Sequence, residues 1–127
     1  MDWKEYEAEI YRILSKTYPN AHITQNVMVD GRYSKVKRQV DVMIEERIAG
    51  FHLKIVIDAK FRNKKIDVTD VEAFIGYCED IGASKGVLIS LEGYTDAANS
   101  RAHFDESDIE FQRIKGVAGV GRIRIRR

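Results

Sequence analysis

The chain is organised around residues 38–60, which read RQVDVMIEERIAGFHLKIVIDAK. Two runs rich in valine and isoleucine, 40–44 and 55–57, flank a polar connection that contains Gly50. Such runs favour β-strands, and a short polar link with a glycine is typical of a hairpin. The stretch therefore predicts two antiparallel strands at the centre of the fold, joined through residues 45–51.

Three charged residues, Asp41, Asp58 and Lys60, interrupt this apolar pattern. Because side chains alternate along a strand, Asp58 and Lys60 share one face of the predicted sheet. Burying such charges costs on the order of several kcal/mol unless they are paired or hold an ion. Antiparallel pairing would place Asp41 opposite or diagonal to Asp58, although the sequence does not fix the register.

These residue types are the ones that phosphodiester hydrolysis requires. Two converging carboxylates suit Mg²⁺, which takes oxygen ligands and retains several waters. A lysine beside them can orient or deprotonate a water, or neutralise charge on a phosphate. An ordinary salt bridge between Asp58 and Lys60, with a solvated Asp41, is the alternative that spacing alone leaves open.

The composition is that of one globular domain. The chain has 127 residues, of which 44% are hydrophobic and 32% are charged, and this length supports a single core. Because no apolar run reaches membrane-spanning length and the first residues include acids and a lysine, we expect a cytoplasmic protein without a membrane segment. Cys78 is the only cysteine, and His22, His52 and His103 lie far apart, which argues against a disulfide and a zinc site.

Basic residues are grouped along the chain although the net charge is only +1. The groups lie at 32–38, 60–65 and 115–127. Two of them adjoin the acids described above, and a basic rim around an acidic centre fits a phosphate backbone. Solvated side chains on loops account equally well for any single group. The basic residues of the first two groups are Arg32, Lys35, Lys37, Arg38, Lys60, Arg62, Lys64 and Lys65.

The segment Asp2–Lys16 has the apolar spacing of an amphipathic helix, with Asp2 as its N-cap. Glu7 lies on the apolar side of this helix, in line with Trp3 and Ile10. An acid on that side is a candidate third metal ligand. A glutamate at the helix edge that covers the core with its stem is the alternative.

The remaining elements alternate between strands and helices. The pattern predicts a strand at 23–30, a helix at 70–81, a strand at 86–91, a short helix from Thr95 to about His103 and a strand at 109–114. For the helix at 70–81 we expect a capping box formed by Thr69 and Glu72, a stop at Gly82, and close packing of Gly76 against the sheet. The order αβββαβαβ predicts an α/β sandwich with a mixed central sheet flanked by helices.

The end of the chain differs in character from the rest. Acids in the segment 105–110 suggest a solvated loop that DNA would avoid. The segment 116–127 alternates arginine with isoleucine near its end and would form an edge strand, a phosphate-contacting arm or the remnant of a longer protein. We therefore expect a domain at 1–115 and a basic tail or final edge strand at 116–127.

Four blocks of the sequence resemble the catalytic domain of Mrr-type restriction endonucleases, within the PD-(D/E)XK superfamily. They are DAKF (58–61), DVTDVEAFIG (67–76), GASKGVLIS (82–90) and YTDAANSRA (94–102). The resemblance extends from Trp3 to Ile114 and implies a restriction-endonuclease-like fold. Val40 stands where the superfamily has its proline, at a position that varies, and Asp58 stands where Mrr-type enzymes often have glutamine.

The resemblance also implies roles for individual residues. Asp41 and Asp58 would bind the metal together with the Ala59 carbonyl, and Lys60 would be the catalytic lysine. Glu7 corresponds to the glutamate of the family's first helix. The implied cofactor is Mg²⁺, with Mn²⁺ as a substitute.

We therefore expect a Mg²⁺-dependent DNA endonuclease domain of the restriction type, with Arg38, Arg62, Lys64 and Lys65 on the DNA backbone. A non-catalytic DNA-binding or assembly module on the same fold is one alternative. A junction-resolving nuclease, which would be a dimer, is another. A homodimer and a separate recognition domain or subunit are compatible with the leading interpretation.

Overall fold

The computed structural model describes residues 2–102 with their side chains and the backbone of residues 109–115 and 119–120. In chain order the elements are α1 (Trp3–Thr17), β1 (His22–Asp30), β2 (Lys37–Ile48), β3 (Phe51–Lys60), α2 (Val68–Ile81), β4 (Lys85–Ser90), α3 (Asp96–Ala102), β5 (Ile109–Lys115) and β6 (Gly119–Val120). The side chains of the predicted acidic loop and most of the predicted tail lie outside the described residues.

The strands form one mixed sheet in the order β1-β2-β3-β4-β5-β6. β1, β2 and β3 pair antiparallel, β3, β4 and β5 pair parallel, and β6 is antiparallel to β5. Helix α2 connects the parallel neighbours β3 and β4, a connection that a tight turn cannot make. The predicted α/β fold with a mixed central sheet is confirmed. Among the described helices, none is long and apolar enough to cross a membrane.

The central hairpin forms where the sequence predicts it, but its turn is much shorter than residues 45–51. Residues 45–48 continue β2, and only Ala49 and Gly50 separate the strands. Both have positive φ angles, 52° and 83°, as a two-residue turn of the type that matches strand twist requires. The polar side chains at 45–47 belong to an exposed strand end, which polarity alone does not distinguish from a loop.

Helix α1 packs on one face of the sheet. Its first backbone N–H groups are capped by Asp2, whose carboxylate accepts a hydrogen bond of 2.8 Å from the nitrogen of Glu5, as predicted. Tyr6, Ile10 and Leu14 are each 1% exposed and pack against apolar residues of β2, β3 and β4. The sequence also predicts that Trp3 lies on the apolar side, but its side chain is half-exposed.

Helix α2 packs on the opposite face, and its start differs from the prediction. The capping box is formed by Asp67 and Asp70, two residues earlier than the predicted Thr69 and Glu72. Both pairs have the spacing of a capping box. The structure uses the earlier pair, so that residues 68 and 69 belong to the helix. The predicted stop at Gly82 is confirmed by its left-handed φ of 70°.

The close contact between α2 and the sheet is made at Gly86 and not at Gly76. Gly76 is exposed, and a Cβ added there would have no neighbour within 4 Å. At Gly86 a Cβ would lie 2.7 Å from both the Cys78 sulfur and a ring carbon of Phe74. The strand glycine therefore allows the apolar side of α2 to approach the sheet.

In the middle of the β1–β2 hairpin, the side chains of β2 switch from the α1 side of the sheet to the α2 side. Val42 packs with α1, whereas Val40, two residues earlier, packs with α2, although both would share one face of a regular strand. The paired register runs from Gln25–Val42 to Val27–Val40, so that Asn26, with φ of 53°, lies opposite Asp41. Beyond this point the hairpin turns onto α2, where the hydroxyl of Tyr77 donates a hydrogen bond of 2.6 Å to the carbonyl of Gln39.

Candidate active site

The two predicted strand acids lie where β2 and β3 separate. Pairing between these strands runs from Ile48–Phe51 to Val42–Ile57. Past this pair, β2 continues beside β1 and β3 continues beside β4. Asp41 and Asp58 are the first residues beyond the last pair, and Asp41 accepts a hydrogen bond of 3.1 Å from the backbone nitrogen of Ala59. The carboxylate of Asp41 thus occupies the fork between the strands.

Lys60 lies on the same side of β3 as Asp58. Its ammonium nitrogen is 2.9 Å from the Asp58 carboxylate, and the two side chains are 31% and 25% exposed. The salt bridge that spacing suggested is therefore present, but it stands beside a second carboxylate and not alone at a strand edge. The lysine is held by Asp58 and remains accessible to solvent.

Glu7 reaches this group of charges from α1. It is 8% exposed, and burial together with the negative charge of Asp58 raises its pKa. Its position on the buried side of α1, predicted from the sequence, brings it towards the strand fork. The alternative of a helix-edge glutamate does not describe a side chain this deeply buried.

The electrostatics of Asp41 reflect three carboxyl groups in close proximity. Burial is the main cause that raises the pKa of Asp41 to about 7. The charges of Asp58 and Glu7 and a hydrogen bond with the Asp58 carboxyl group raise this pKa further, whereas the hydrogen bond from the N–H of Ala59 lowers it. Like charges in one site disfavour simultaneous ionisation. A cation at this point would relieve that repulsion.

The donor set fits a hard divalent cation that keeps much of its water. Within residues 2–102, no group of three or more His, Cys, Asp or Glu side chains is placed so that it could hold a metal ion by itself. The two carboxylates of Asp41 and Asp58 are a sparse set of the type that Mg²⁺ accepts, because Mg²⁺ retains several waters and binds through one or two carboxylates. The set offers no thiolate or imidazole for zinc.

The predicted DNA-binding residues divide into two groups. Arg38 lies against α2, where its guanidinium donates to Asp80 over 2.8 Å. Arg62 pairs with Asp70 at the start of α2, and Lys64 and Lys65 are exposed in the same loop. Two of the four cations are therefore engaged within the protein, and the loop 62–65 is the group that directly follows Lys60.

Sequence reasoning missed Asp80, which organises the tip of the β1–β2 hairpin. This carboxylate is 4% exposed and accepts hydrogen bonds from the backbone nitrogens of Tyr33 and Ser34, from the Ser34 hydroxyl and from Arg38. An acid in the last turn of a helix opposes the helix dipole and so signals a specific partner. That signal was available in the sequence.

An α/β sheet whose strands part around carboxylates and a lysine defines the class of restriction-endonuclease-like domains. Residues 1–116 match the family model of the Mrr catalytic domain, described as restriction endonuclease. The chain therefore belongs to this restriction endonuclease family, and the resemblance stated from its sequence blocks is confirmed. No curated protein matches the chain.

Solved structures that share the fold include three proteins. A protein of unknown function, AF1548, is 18% identical with a TM-score of 0.69, over 85% of this chain and 56% of its own. The MspJI restriction endonuclease, in complex with a 27-mer oligonucleotide, is 13% identical with a TM-score of 0.56, over 85% of this chain and 25% of its own. The DNA modification-dependent restriction endonuclease AspBHI is 16% identical with a TM-score of 0.55, over 84% and 27%. The chain thus spans about half of the first protein and about a quarter of the other two.

Proposed function

We propose that this domain hydrolyses phosphodiester bonds in DNA with a bound divalent cation, Mg²⁺ or Mn²⁺. The observation that carries the proposal is the group formed by Asp41, Asp58 and Glu7 at the strand fork, in which burial, together with the charges of Asp58 and Glu7, raises the pKa of Asp41 to about 7. Groups with perturbed pKa values cluster at functional sites. Family membership and the oligonucleotide in the MspJI structure support DNA as the substrate.

Asp41 and Asp58 would hold the cation, with the Ala59 carbonyl as a further oxygen ligand. Glu7 would contribute directly or through a water. When bound, the cation lowers the pKa of an attacking water and offsets charge that develops on the phosphate. The hydrogen bond from Ala59 to Asp41 fixes this carboxylate beside the Asp58 carboxyl group.

Lys60 would act on the water or on the phosphate. Asp58 holds its ammonium group 2.9 Å away, which keeps the positive charge beside the place where negative charge develops. From there it can orient or help deprotonate the nucleophile, or stabilise the transition state.

The loop that follows Lys60 would bind the DNA backbone. Lys64 and Lys65 are exposed, while the guanidinium of Arg62 is paired with Asp70. Contacts of this kind give affinity without base specificity. Arg38, which is paired with Asp80, would serve as an outer contact.

We also propose the extent of the domain, its location and its partners. The domain would span residues 1–115, with 116–127 as a basic tail or edge strand, and would act in the cytoplasm in restriction of DNA. Because MspJI and AspBHI are about four times longer than the shared region, we propose that a separate domain or subunit selects the target. Pairing of two copies would allow both strands to be cut.

The test is plasmid nicking by the wild type and by Asp58→Asn and Lys60→Ala, with Mg²⁺, Mn²⁺ or chelator. Loss of Lys60 should lower the rate by about a hundredfold to ten-thousandfold, whereas the matched control Lys16→Ala, exposed at the end of α1, should not. If the wild type binds DNA but nicks no substrate with either metal, the domain is a binding or assembly module. Cleavage confined to four-way junctions would identify a junction-resolving nuclease.

A further inference from the structure

Trp3 is an exposed aromatic residue beside the candidate active site. It lies one helical turn before Glu7, and residues four apart on a helix are neighbours on one face. Along this face Tyr6, Glu7 and Ile10 are at most 8% exposed, whereas Trp3 is 50% exposed. The sheet-facing side of α1 therefore extends past the sheet and ends in an uncovered indole.

The direction of α1 places Trp3 at the end of the sheet where the strands fork. The ring of Tyr6 lies 5.2 Å from the ring of Phe61, and Phe61 directly follows Lys60. The other end of α1 leads into β1, whose first residue His22 pairs with Glu45 on the far side of the fork. Trp3 consequently lies beyond the carboxylates, at the same end as the basic loop 62–65.

The charges around Trp3 favour a base over a phosphate. Asp2 and Glu5 are acids on the same turn, and the Asp2 carboxylate is already used to cap the helix. The ammonium group of Lys4 lies over one face of the ring, 5.6 Å from its centroid, and Lys64 and Lys65 are exposed in the loop that follows Phe61. Phosphates would pair with these cations, which leaves the face of the indole away from Lys4 to contact a base.

We propose that Trp3 stacks on an unpaired base next to the scissile phosphate, so that the preferred substrate has single-stranded nucleotides at the cleavage site. The inference rests on the proposed function, because it uses the same site. Stacking on aromatic side chains is available to every base and needs no sequence. A base within a blunt duplex is covered on both faces by its neighbours, whereas a flap, gap, branch or single strand exposes one.

The experiment uses the fact that Trp3 is the only tryptophan. Its fluorescence is followed in chelator as a single-stranded 12-mer is added, and in parallel as a blunt hairpin duplex is added. Stacking predicts strong quenching by the single strand and little by the duplex. Binding of a labelled single strand is measured separately for Trp3→Ala, which should weaken it by about tenfold, and for Trp3→Phe, which should retain most of the affinity.

Phe51→Ala is the matched control, because Phe51 is 71% exposed at the start of β3, away from the fork. It should bind the single strand as the wild type does.

Nicking is assayed on the same preparations. If nicking occurs but the single strand neither quenches Trp3 nor binds more weakly to Trp3→Ala, the inference fails and the proposed function stands. If quenching occurs without nicking under any metal, the stacking contact stands and hydrolysis fails. Equal quenching by the blunt duplex overturns stacking on an unpaired base, and absence of all binding overturns both.

Discussion

The Oδ2 atom of Asp41 accepts a hydrogen bond from the backbone N–H of Ala59 across the fork between β2 and β3. A side chain of one strand thus satisfies a backbone donor of the other at the point where their regular pairing has ended. The same contact orients a carboxylate beside Asp58 and Lys60. Separation of the strands and assembly of the charges are therefore one structural feature.

Asp41→Asn removes the negative charge at this position and keeps the oxygen that accepts the hydrogen bond from Ala59. The amide oxygen can still accept from Ala59, so the fork should form, and removal of one of three neighbouring carboxylates should leave the metal-free protein at least as stable as the wild type. Nicking should fall by about a hundredfold or more. A saturating ligand at a hundred times its Kd stabilises a protein by about 2.7 kcal/mol, so Mg²⁺ should raise the melting temperature of the wild type and not that of the variant.

Thermal denaturation with and without Mg²⁺ measures this difference independently of activity. Asp30→Asn is the control, because Asp30 is 77% exposed and pairs with Lys37 on the surface. It should respond to Mg²⁺ as the wild type does. Equal stabilisation of Asp41→Asn by Mg²⁺ would remove Asp41 from the metal site.

Replacing Lys64 and Lys65 together should change DNA binding without changing the fold. Each phosphate contact contributes about 0.9 to the slope of log affinity against log salt, so loss of both lysines should flatten the slope by roughly 2. Arg62→Ala should behave differently, since Arg62 also pairs with Asp70, which closes the capping box of α2. We expect a loss of about 1 kcal/mol or less in stability from this variant. Binding measured over a series of salt concentrations checks the first effect, and an unchanged slope would exclude the two lysines from the interface.

The Asp80 carboxylate should make stability depend on pH in the acid range. Hydrogen bonds from Ser34 and from Arg38 lower its pKa well below the ordinary value, whereas in the unfolded chain it is about 4. Below that value the unfolded state binds more protons than the folded state, so the stabilisation is complete above about pH 4 and is lost as the pH falls. Asp80→Asn removes this pH-dependent contribution to the free energy of unfolding.

Urea denaturation at a series of pH values measures the difference between the wild type and Asp80→Asn. The gap in stability should be widest at neutral pH and should narrow as the pH falls below 4. Asp30→Asn provides the comparison for an exposed acid, and its gap should be small throughout. A gap for Asp80→Asn that stays constant down to pH 3 would contradict the assigned pKa shift.

The sequence predicts on which face of its helix or strand a candidate site residue lies better than it predicts how these residues are brought together. Alternation along β3 places Asp58 and Lys60 on one face without any knowledge of neighbours, and helical spacing places Glu7 on the buried side of α1. The position of Asp41 in the fork depends on where β2 leaves β3, which is determined by long-range pairing and by the change of face opposite Asn26. No local pattern carries that information.

Competing local signals explain the other differences. Thr69 with Glu72 and Asp67 with Asp70 both satisfy the spacing of a capping box, and the structure uses the earlier pair. The pairing of Arg38 with Asp80 joins residues 42 positions apart, so the basic group at 32–38 cannot be recognised as partly structural from its composition. A glycine in a helix indicates either close packing against a neighbouring element or an exposed position where a glycine is merely tolerated. Only the structure around the glycine distinguishes these two cases.

The two glycines should accordingly respond to alanine in opposite directions. Gly76 is exposed inside α2 with no atom near its missing Cβ, so Gly76→Ala should stabilise the protein by about 0.5–1 kcal/mol through helix propensity. At Gly86 the added methyl group would lie 2.7 Å from Cys78 and Phe74, and Gly86→Ala should destabilise by about 1–3 kcal/mol. Chemical denaturation of both variants tests the assignment, with each serving as the control for the other. Stabilisation by Gly86→Ala would mean that α2 can move away from the sheet at no cost, and that the packing of α2 over β4 is looser than its contacts indicate.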